Sequence, residues 1–130
     1  MNIINLEKLQ LKTFTEQDAL DYCQINNINP DNITELYFQN NELTDISGVK
    51  LFKNLEYLDI KNNEIKDISV IKKLKNLQYL RISSLRLKSD QIKHINNIKS
   101  LKTLYCIRGF ENMSDVNKLN KNLGVLYGIF

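Results

Sequence analysis

Apolar and polar residues recur along this chain in a fixed order, and each unit opens with a pattern of the form L-x-x-L-x-L. The pattern begins at Ile33, Leu55, Leu77, Leu101 and Leu123, so successive units start 22, 22, 24 and 22 residues apart. Alternation of apolar and polar positions is typical of a β-strand with one buried face. Because no unit of this length can bury its apolar face alone, we predict that the units stack as a solenoid.

After each strand, apolar residues come at every third position, a spacing that favours a 3₁₀ turn or a single helical turn. A strand, such a turn and the next strand form a right-handed crossover between parallel strands. The sequence therefore predicts a parallel sheet on one side of the solenoid and short turns on the other. The apolar residues of these turns are Ile46, Val49 and Phe52, then Ile68, Ile71 and Leu74, then Ile92, Ile95 and Ile98, and finally Met113, Val116 and Leu119.

The N-terminal part of the chain departs from this spacing, and residues 1–32 are interpreted as a cap of the solenoid. The pattern of residues 6–11 predicts an extra first strand. Thr15 and Asp18 have the form of a capping box, which predicts a helix over about residues 16–26. Residues 33–130 are interpreted as the repeats, so the whole chain, 1–130, is predicted to be one domain. Alternation would turn three side chains of the first strand outward: Lys8, Gln10 and Lys12.

The last unit ends in a strand predicted over about residues 124–129, followed by Phe130. An uncapped solenoid end leaves an unpaired strand edge. Two interpretations stay open: Phe130 folds back as a minimal cap, or this edge contacts another protein molecule, which includes self-association. Alternation would turn three side chains of this strand outward: Val125, Tyr127 and Ile129.

Residues 36–46 and 58–68 have the sequences LYFQNNELTDI and LDIKNNEIKDI. They resemble the leucine-rich repeat family, in the 22-residue class that is similar to bacterial internalin-like repeats, and the resemblance covers roughly residues 33–130. It implies an α/β fold: a right-handed solenoid with a curved parallel sheet of about six strands on the concave side, where partners usually bind. Short 3₁₀ or α turns are expected on the convex side, and a helical cap at the N-terminus.

Asn41 and Asn63 follow the strands of these two units at the same offset, where an Asn amide can bond neighbouring backbone. Leu85 and Gly109 occupy the equivalent positions in the next two units. A ladder of Asn side chains is therefore expected to stop halfway along the solenoid.

Alternation also assigns the outward side chains of the strands, which form the candidate binding surface. Five of the six tyrosines fall on outward positions, and the expected central column is Tyr37, Asp59, Arg81, Tyr105 and Tyr127. Because Tyr and Arg are enriched at interaction hot spots, we interpret this surface as a protein-binding face. The alternative is a tyrosine ladder that only stabilises the sheet through cross-strand contacts. The candidate partner-binding residues are Tyr37, Tyr57, Asp59, Lys61, Tyr79, Arg81, Tyr105 and Tyr127.

Composition narrows the choice of partner and compartment. The net charge of +3 over 130 residues is too small to indicate nucleic acid or a membrane as the partner. No apolar run reaches the roughly 18–20 residues of a membrane span, and the N-terminus has no signal-peptide pattern. Cys23 and Cys106 lack the spacing of a disulfide framework, so reduced thiols are predicted. We therefore expect a cytoplasmic protein.

Catalytic or metal-binding chemistry has little support in the sequence. The single histidine, His94, falls on a predicted helical segment over residues 89–95, with no nucleophile or carboxylate at a spacing that indicates catalysis. One histidine with Cys23 and Cys106 does not make a zinc site, and the four glycines form no phosphate-binding loop. The protein is expected not to be an enzyme and to need no metal or cofactor.

The leading hypothesis is a protein–protein interaction module, such as an adaptor or an inhibitor, including an immunity protein that neutralises a toxin. One alternative is a nucleic-acid-binding protein in which Lys8, Lys12, Lys61 and Arg81 contact phosphates and tyrosines stack on bases. Acidic residues on the same face argue against that alternative. Two others are a secreted surface or host-receptor binder and a fragment of a longer repeat array.

Overall fold

The computed structural model describes residues 2–126, which form a six-stranded parallel sheet backed by short helices. The strands lie in the sheet in the same order as in the sequence, so each unit packs on the one before it. This arrangement confirms the predicted α/β solenoid. The strands are β1 (Ile3–Asn5), β2 (Glu35–Tyr37), β3 (Tyr57–Asp59), β4 (Tyr79–Arg81), β5 (Thr103–Tyr105) and β6 (Gly124–Leu126).

The segments that return from one strand to the next carry the predicted short turns. There are two α-helices in the described part, α1 (Glu16–Ile25) and α2 (Ile92–Asn96). The apolar residues at every third position of these segments are mostly buried, which explains why the chain turns there. The 3₁₀ turns are Pro30–Asn32, Ser47–Leu51, Ser69–Lys73, Ser89–Gln91 and Met113–Lys118.

One apolar core runs along the solenoid between the sheet and the turns. The middle residue of each inner strand points into it, and Leu36, Leu58, Leu80 and Leu104 are fully buried. Each unit therefore covers the apolar face of its neighbour, as the stacking argument requires.

The Asn ladder forms at its two predicted positions. Asn63 is 8% exposed, and its Oδ1 accepts a hydrogen bond from the backbone N–H of Leu43 at 3.0 Å. Its Nδ2 donates to the carbonyls of Phe38, Ile60 and Lys61. One amide thus satisfies buried backbone groups of two consecutive units, which ties the units together.

The predicted helical segment of the cap is present as α1, and its capping box is complete. Thr15 Oγ1 accepts from the backbone N–H of Asp18 at 3.2 Å, and the Asp18 carboxylate accepts from the N–H of Thr15 at 2.9 Å. The cap passes close to the next unit here, because the N–H of Gly48 donates to the carbonyl of Phe14 at 2.8 Å.

The first strand is not where the sequence pattern placed it. β1 pairs with β2 so that Ile4 lies opposite the central leucine of β2, and Ile4 and Leu6 occupy the core. The predicted strand over residues 6–11 was wrong. That segment is a loop, in which Lys8 and Gln10 have φ angles of 56° and 58°.

The loop forms because the side chain of Asn41 accepts hydrogen bonds from backbone N–H groups that would otherwise donate to a neighbouring strand. The backbone N–H groups of Leu9 and Leu11 both donate to Asn41 Oδ1, at 2.9 and 3.0 Å. The outward residues of the first strand are therefore Ile3 and Asn5, and the expectation was wrong for Lys8, Gln10 and Lys12.

The last strand begins where it was predicted but has a different register. Val125 lies opposite Leu104, and Leu126 lies opposite Tyr105. Since a shift of one residue exchanges the two faces of a strand, Val125 packs against the core instead of facing outward as predicted. The remaining residues of the predicted strand end lie outside the described residues: Tyr127, Ile129 and Phe130.

Candidate partner-binding surface

The outward side chains of β2 to β5 form two columns across the sheet, and we call this surface the tyrosine face. The parallel register places each residue directly beside its equivalent in the next unit, as the sequence predicted. One column is Glu35, Tyr57, Tyr79 and Thr103, and the other is Tyr37, Asp59, Arg81 and Tyr105.

Three tyrosines of this face contact one another in sequence order. The ring centroids of Tyr37 and Tyr57 are 5.2 Å apart, and those of Tyr57 and Tyr79 are 6.0 Å apart, both pairs tilted by 33°. Tilted pairs at such distances are favourable aromatic contacts. The rings form a continuous surface, of which Tyr79 is the most exposed at 36%.

The hydroxyls of Tyr37 and Tyr57 stay protonated at neutral pH. The Tyr37 hydroxyl donates a hydrogen bond of 2.7 Å to Glu35 Oε1. Burial, and then this hydrogen bond, raise the pKa of Tyr37, and burial also raises the pKa of Tyr57. Each ring thus offers an apolar body with a neutral polar tip, a combination that suits protein interfaces.

Asp59 contributes charge to the face but almost no contact area, because it is only 2% exposed. Its Oδ1 accepts a hydrogen bond of 3.1 Å from the backbone N–H of Lys61. Burial raises the pKa of Asp59, while that hydrogen bond and the charges of Arg81 and Lys61 act in the opposite direction. Its carboxylate is occupied by this backbone hydrogen bond and is not free to meet a partner.

At the end of the strands, the face continues into a cavity of about 420 Å³ that we call the basic pocket. The Arg81 guanidinium lies over the Tyr105 ring at its wall, 4.5 Å from the ring centroid to the Cζ atom. Lys61 is the second cationic residue of the pocket. The lining residues are Asn40, Lys61, Asn62, Arg81, Ser83, Ser84, Tyr105 and Ile107.

The structure thus brings seven of the eight candidate residues to one surface, and the eighth, Tyr127, lies outside the described residues. Leu126 lies opposite Tyr105 in the column where Tyr127 was expected. Sequence reasoning did not include Asn40 among the site residues. A usable signal was its offset after the strand, which is the same as that of Asn62 and Ser84 in the next two units.

Within residues 2–126, no group of His, Cys, Asp and Glu side chains is arranged to hold a metal ion. No helix of that part of the protein is long and apolar enough to cross a membrane. His94 lies on α2, within the segment 89–95 that was predicted to be helical, and its side chain is half-buried.

Comparison with known proteins places these features in a family context. A family model described as leucine-rich repeats (2 copies) matches residues 31–73 and 53–94. Among solved structures, internalin C2 from Listeria monocytogenes is similar over 95% of this chain, with a TM-score of 0.68 and 19% identity. An internalin (inlF) from the same species is similar over 76% of this chain, with a TM-score of 0.50 and 19% identity.

These similarities concern the fold, since the sequence identities are low. The chain spans 50% of the length of internalin C2 and 36% of the length of the second internalin. A comparison with curated protein sequences finds no match.

Proposed function

Because this protein carries leucine-rich repeats and has the leucine-rich-repeat fold, we propose that it binds a protein partner through the tyrosine face. Leucine-rich repeats generally mediate protein–protein interactions. The observation that carries the proposal is the continuous contact of Tyr37, Tyr57 and Tyr79 beside the stacked pair of Arg81 and Tyr105. Rigid Tyr and Arg side chains that are already packed lose little conformational freedom on binding.

The size of the sheet limits how such a partner can bind. The six strands, about 4.8 Å apart and each three residues of roughly 3.3 Å long, give a face of about 300 Å². A standard interface buries about 800 Å² per partner. A tightly bound protein must therefore also contact the loops after the strands, where the basic pocket lies.

The proposal extends to the role and the compartment of the protein. A small binding module of this kind would act as an adaptor or as an inhibitor, including an immunity protein. Cys23 and Cys106 are both free and buried, and burial raises the pKa of Cys106 to about 11. Unpaired, protonated thiols suit a reducing cytoplasm. Self-association through the C-terminal edge near Phe130 stays a prediction.

Nucleic acid is the weaker candidate. Two of the four basic residues that favoured it, Lys8 and Lys12, lie outside the strands of the sheet. The remaining two share the surface with Glu35 and Asp59, which would repel a phosphate backbone.

The test uses the purified protein as bait in a lysate of its own source, at low and at moderate salt, with mass spectrometry of what is retained. The matched variants are Tyr57→Ala with Tyr105→Ala on the tyrosine face, and Lys73→Ala with Lys75→Ala on the opposite side. We expect a protein that is retained at both salts by the wild type and by the lysine variant, but not by the tyrosine variant. Equal retention by the tyrosine variant, or retention of nucleic acid only at low salt, would overturn the proposal.

A further inference from the structure

The basic pocket carries two cations and no acidic residue among its lining side chains. The ion pairs of residues 2–126 all lie elsewhere, at Lys12–Glu42, Lys50–Glu16, Lys53–Asp31 and Lys118–Asp115. Lys61 and Arg81 therefore have no carboxylate within ion-pair distance in the described part. The buried Asp59 is close enough for its charge to act on both cations, but it forms no ion pair with either and does not line the pocket.

One donor of Arg81, the Nε–H group, is both buried and unpaired. Arg81 Nε has no hydrogen-bond partner among the described residues, although the atom is shielded from solvent. Because an unpaired buried donor costs free energy, most such groups in proteins have a partner. The unpaired donor shows that the Arg81 side chain is not satisfied within the described part of the protein.

The guanidinium is held in place before any ligand arrives. It lies over the Tyr105 ring at 4.5 Å, and the buried Asp59 of the neighbouring strand is close enough for its charge to interact with it. Asp59 Oδ1 already accepts from the N–H of Lys61. A planar guanidinium that is fixed in this way can offer its N–H groups as a fork to a carboxylate.

We propose that the basic pocket binds a carboxylate of the protein partner, either that of an Asp or Glu residue or the α-carboxylate of its last residue. This inference rests on the proposed function, because it specifies one contact of the same surface. Lys61 supplies the second positive charge, and the hydroxyls of Ser83 and Ser84 supply further donors at the wall. The strands next to the pocket carry the acidic residues Glu35 and Asp59. Because these residues would repel the many charges of a nucleic-acid backbone, a single carboxylate is favoured over a nucleic-acid phosphate.

The test is an NMR titration of the isotope-labelled protein with a small probe. The probe is N-acetyl-glutamate N-methylamide, and its glutamine counterpart is the uncharged control. Inorganic phosphate and a short oligothymidylate are added in separate titrations. We expect saturable shifts of the Arg81 Nε–H and of Lys61 with the glutamate probe, with a dissociation constant in the millimolar range. The glutamine control is expected to cause no such shifts.

Variants test whether the probe binds through Arg81 and Lys61 or only through the overall positive charge of the protein. Arg81→Met and Lys61→Met should each weaken the binding of the glutamate probe about tenfold, as expected for a hydrogen bond to a charged group. Arg81→Lys, which keeps the charge and loses the fork, should weaken it nearly as much. Lys75→Met is the control with the same loss of charge on an exposed position of the opposite side, and its affinity should equal that of the wild type.

The proposal is overturned by equal shifts with the glutamine control, by no saturable shift up to solubility, or by tighter binding of the oligothymidylate. Backbone spectra of the variants establish that each is folded before its affinity is compared. The titration needs no natural partner, so the two proposals can fail separately. The glutamate probe can fail to bind even if the tyrosine variant no longer retains a protein from the lysate. The reverse result, a working pocket with no dependence of capture on the tyrosines, would overturn only the proposed function.

Discussion

The guanidinium of Arg81 stacks on the ring of Tyr105, with 4.5 Å between the Arg81 Cζ atom and the ring centroid. The two residues are register partners on β4 and β5, so the stack follows from the parallel pairing of adjacent units. Because the ring holds the guanidinium at the wall of the basic pocket, this contact links the sheet to the proposed binding site.

A double-mutant cycle of Arg81→Met and Tyr105→Leu should measure this stack directly. We expect a coupling energy of about 0.5–1 kcal/mol in urea unfolding, the range of exposed cation–π contacts. The control cycle combines Arg81→Met with Tyr37→Leu, which lies in the same column two strands away. Its coupling should be close to zero, and equal coupling in both cycles would contradict a specific contact.

The variant Asp59→Asn should be more stable than the wild type at pH 7. Burial raises the pKa of Asp59 above its usual value of 3.8, so the folded state binds the proton more tightly than the unfolded state. Ionised Asp59 therefore opposes folding, and its cost appears as the pH rises from 3.8 through the raised folded pKa. Asn keeps an oxygen for the N–H of Lys61 and carries no charge.

Urea unfolding of wild type and Asp59→Asn across the acid range isolates this effect. The stability difference should be small at low pH, where Asp59 is protonated, and should grow in favour of Asn as the pH rises. Asp18 and Asp67 have lowered pKa values, owing first to backbone hydrogen bonds from Thr15 and Ser69, and their contributions cancel in the difference. A constant difference at all pH values would contradict the raised pKa.

Asn63→Ala should destabilise the fold by about 3 kcal/mol, because it leaves buried backbone groups of two units unpaired. The lost bonds are those with the N–H of Leu43 and the carbonyls of Phe38 and Ile60. The control is Asn76→Ala at an exposed position, where a change within about 0.5 kcal/mol is expected. Thermal or urea unfolding of both variants gives the comparison.

Ser84→Asn should stabilise the fold. Ser84 has a φ of 63°, and the residues at its position in the two preceding units, Asn40 and Asn62, have φ of 62° and 55°. Left-handed backbone costs most L-residues roughly 1–2 kcal/mol and costs Asn less, so a gain of about 0.5 kcal/mol is expected in urea unfolding. The reciprocal variant, Asn62→Ser, should lose at least as much, because Asn62 Nδ2 also donates to Asn40 Oδ1 at 2.7 Å.

Gly48→Ala should destabilise the contact between the cap and the first repeat by about 2–3 kcal/mol. A methyl group at Gly48 would lie 2.8 Å from the carbonyl oxygen of Phe14 and even closer to that of Thr15. These are backbone atoms of the cap that cannot move aside without displacing the start of α1. Ser47→Ala, one residue earlier, is the control, and similar unfolding midpoints for the two variants would contradict the close approach.

The positions of β2 to β5, the convex turns and the capping box of Thr15 and Asp18 all followed from the sequence. Each depends on residues a few positions apart: alternation that buries one face of a strand, apolar residues at every third position, or a side chain that bonds nearby backbone. The repeat length also determined that Tyr57 and Tyr79 lie side by side, since equivalent positions of stacked units are register partners.

Only the tertiary structure decided the two ends and the pocket. Residues 6–11 have the pattern of a strand, but the N–H groups of Leu9 and Leu11 bind Asn41 instead, a residue 30 or more positions away. The register of β6 differs by one residue from that predicted, so Val125 packs against the core. The basic pocket joins side chains of several units. Local patterns fix which residues can form a strand or a turn, whereas competing hydrogen bonds and packing between distant residues decide whether they do.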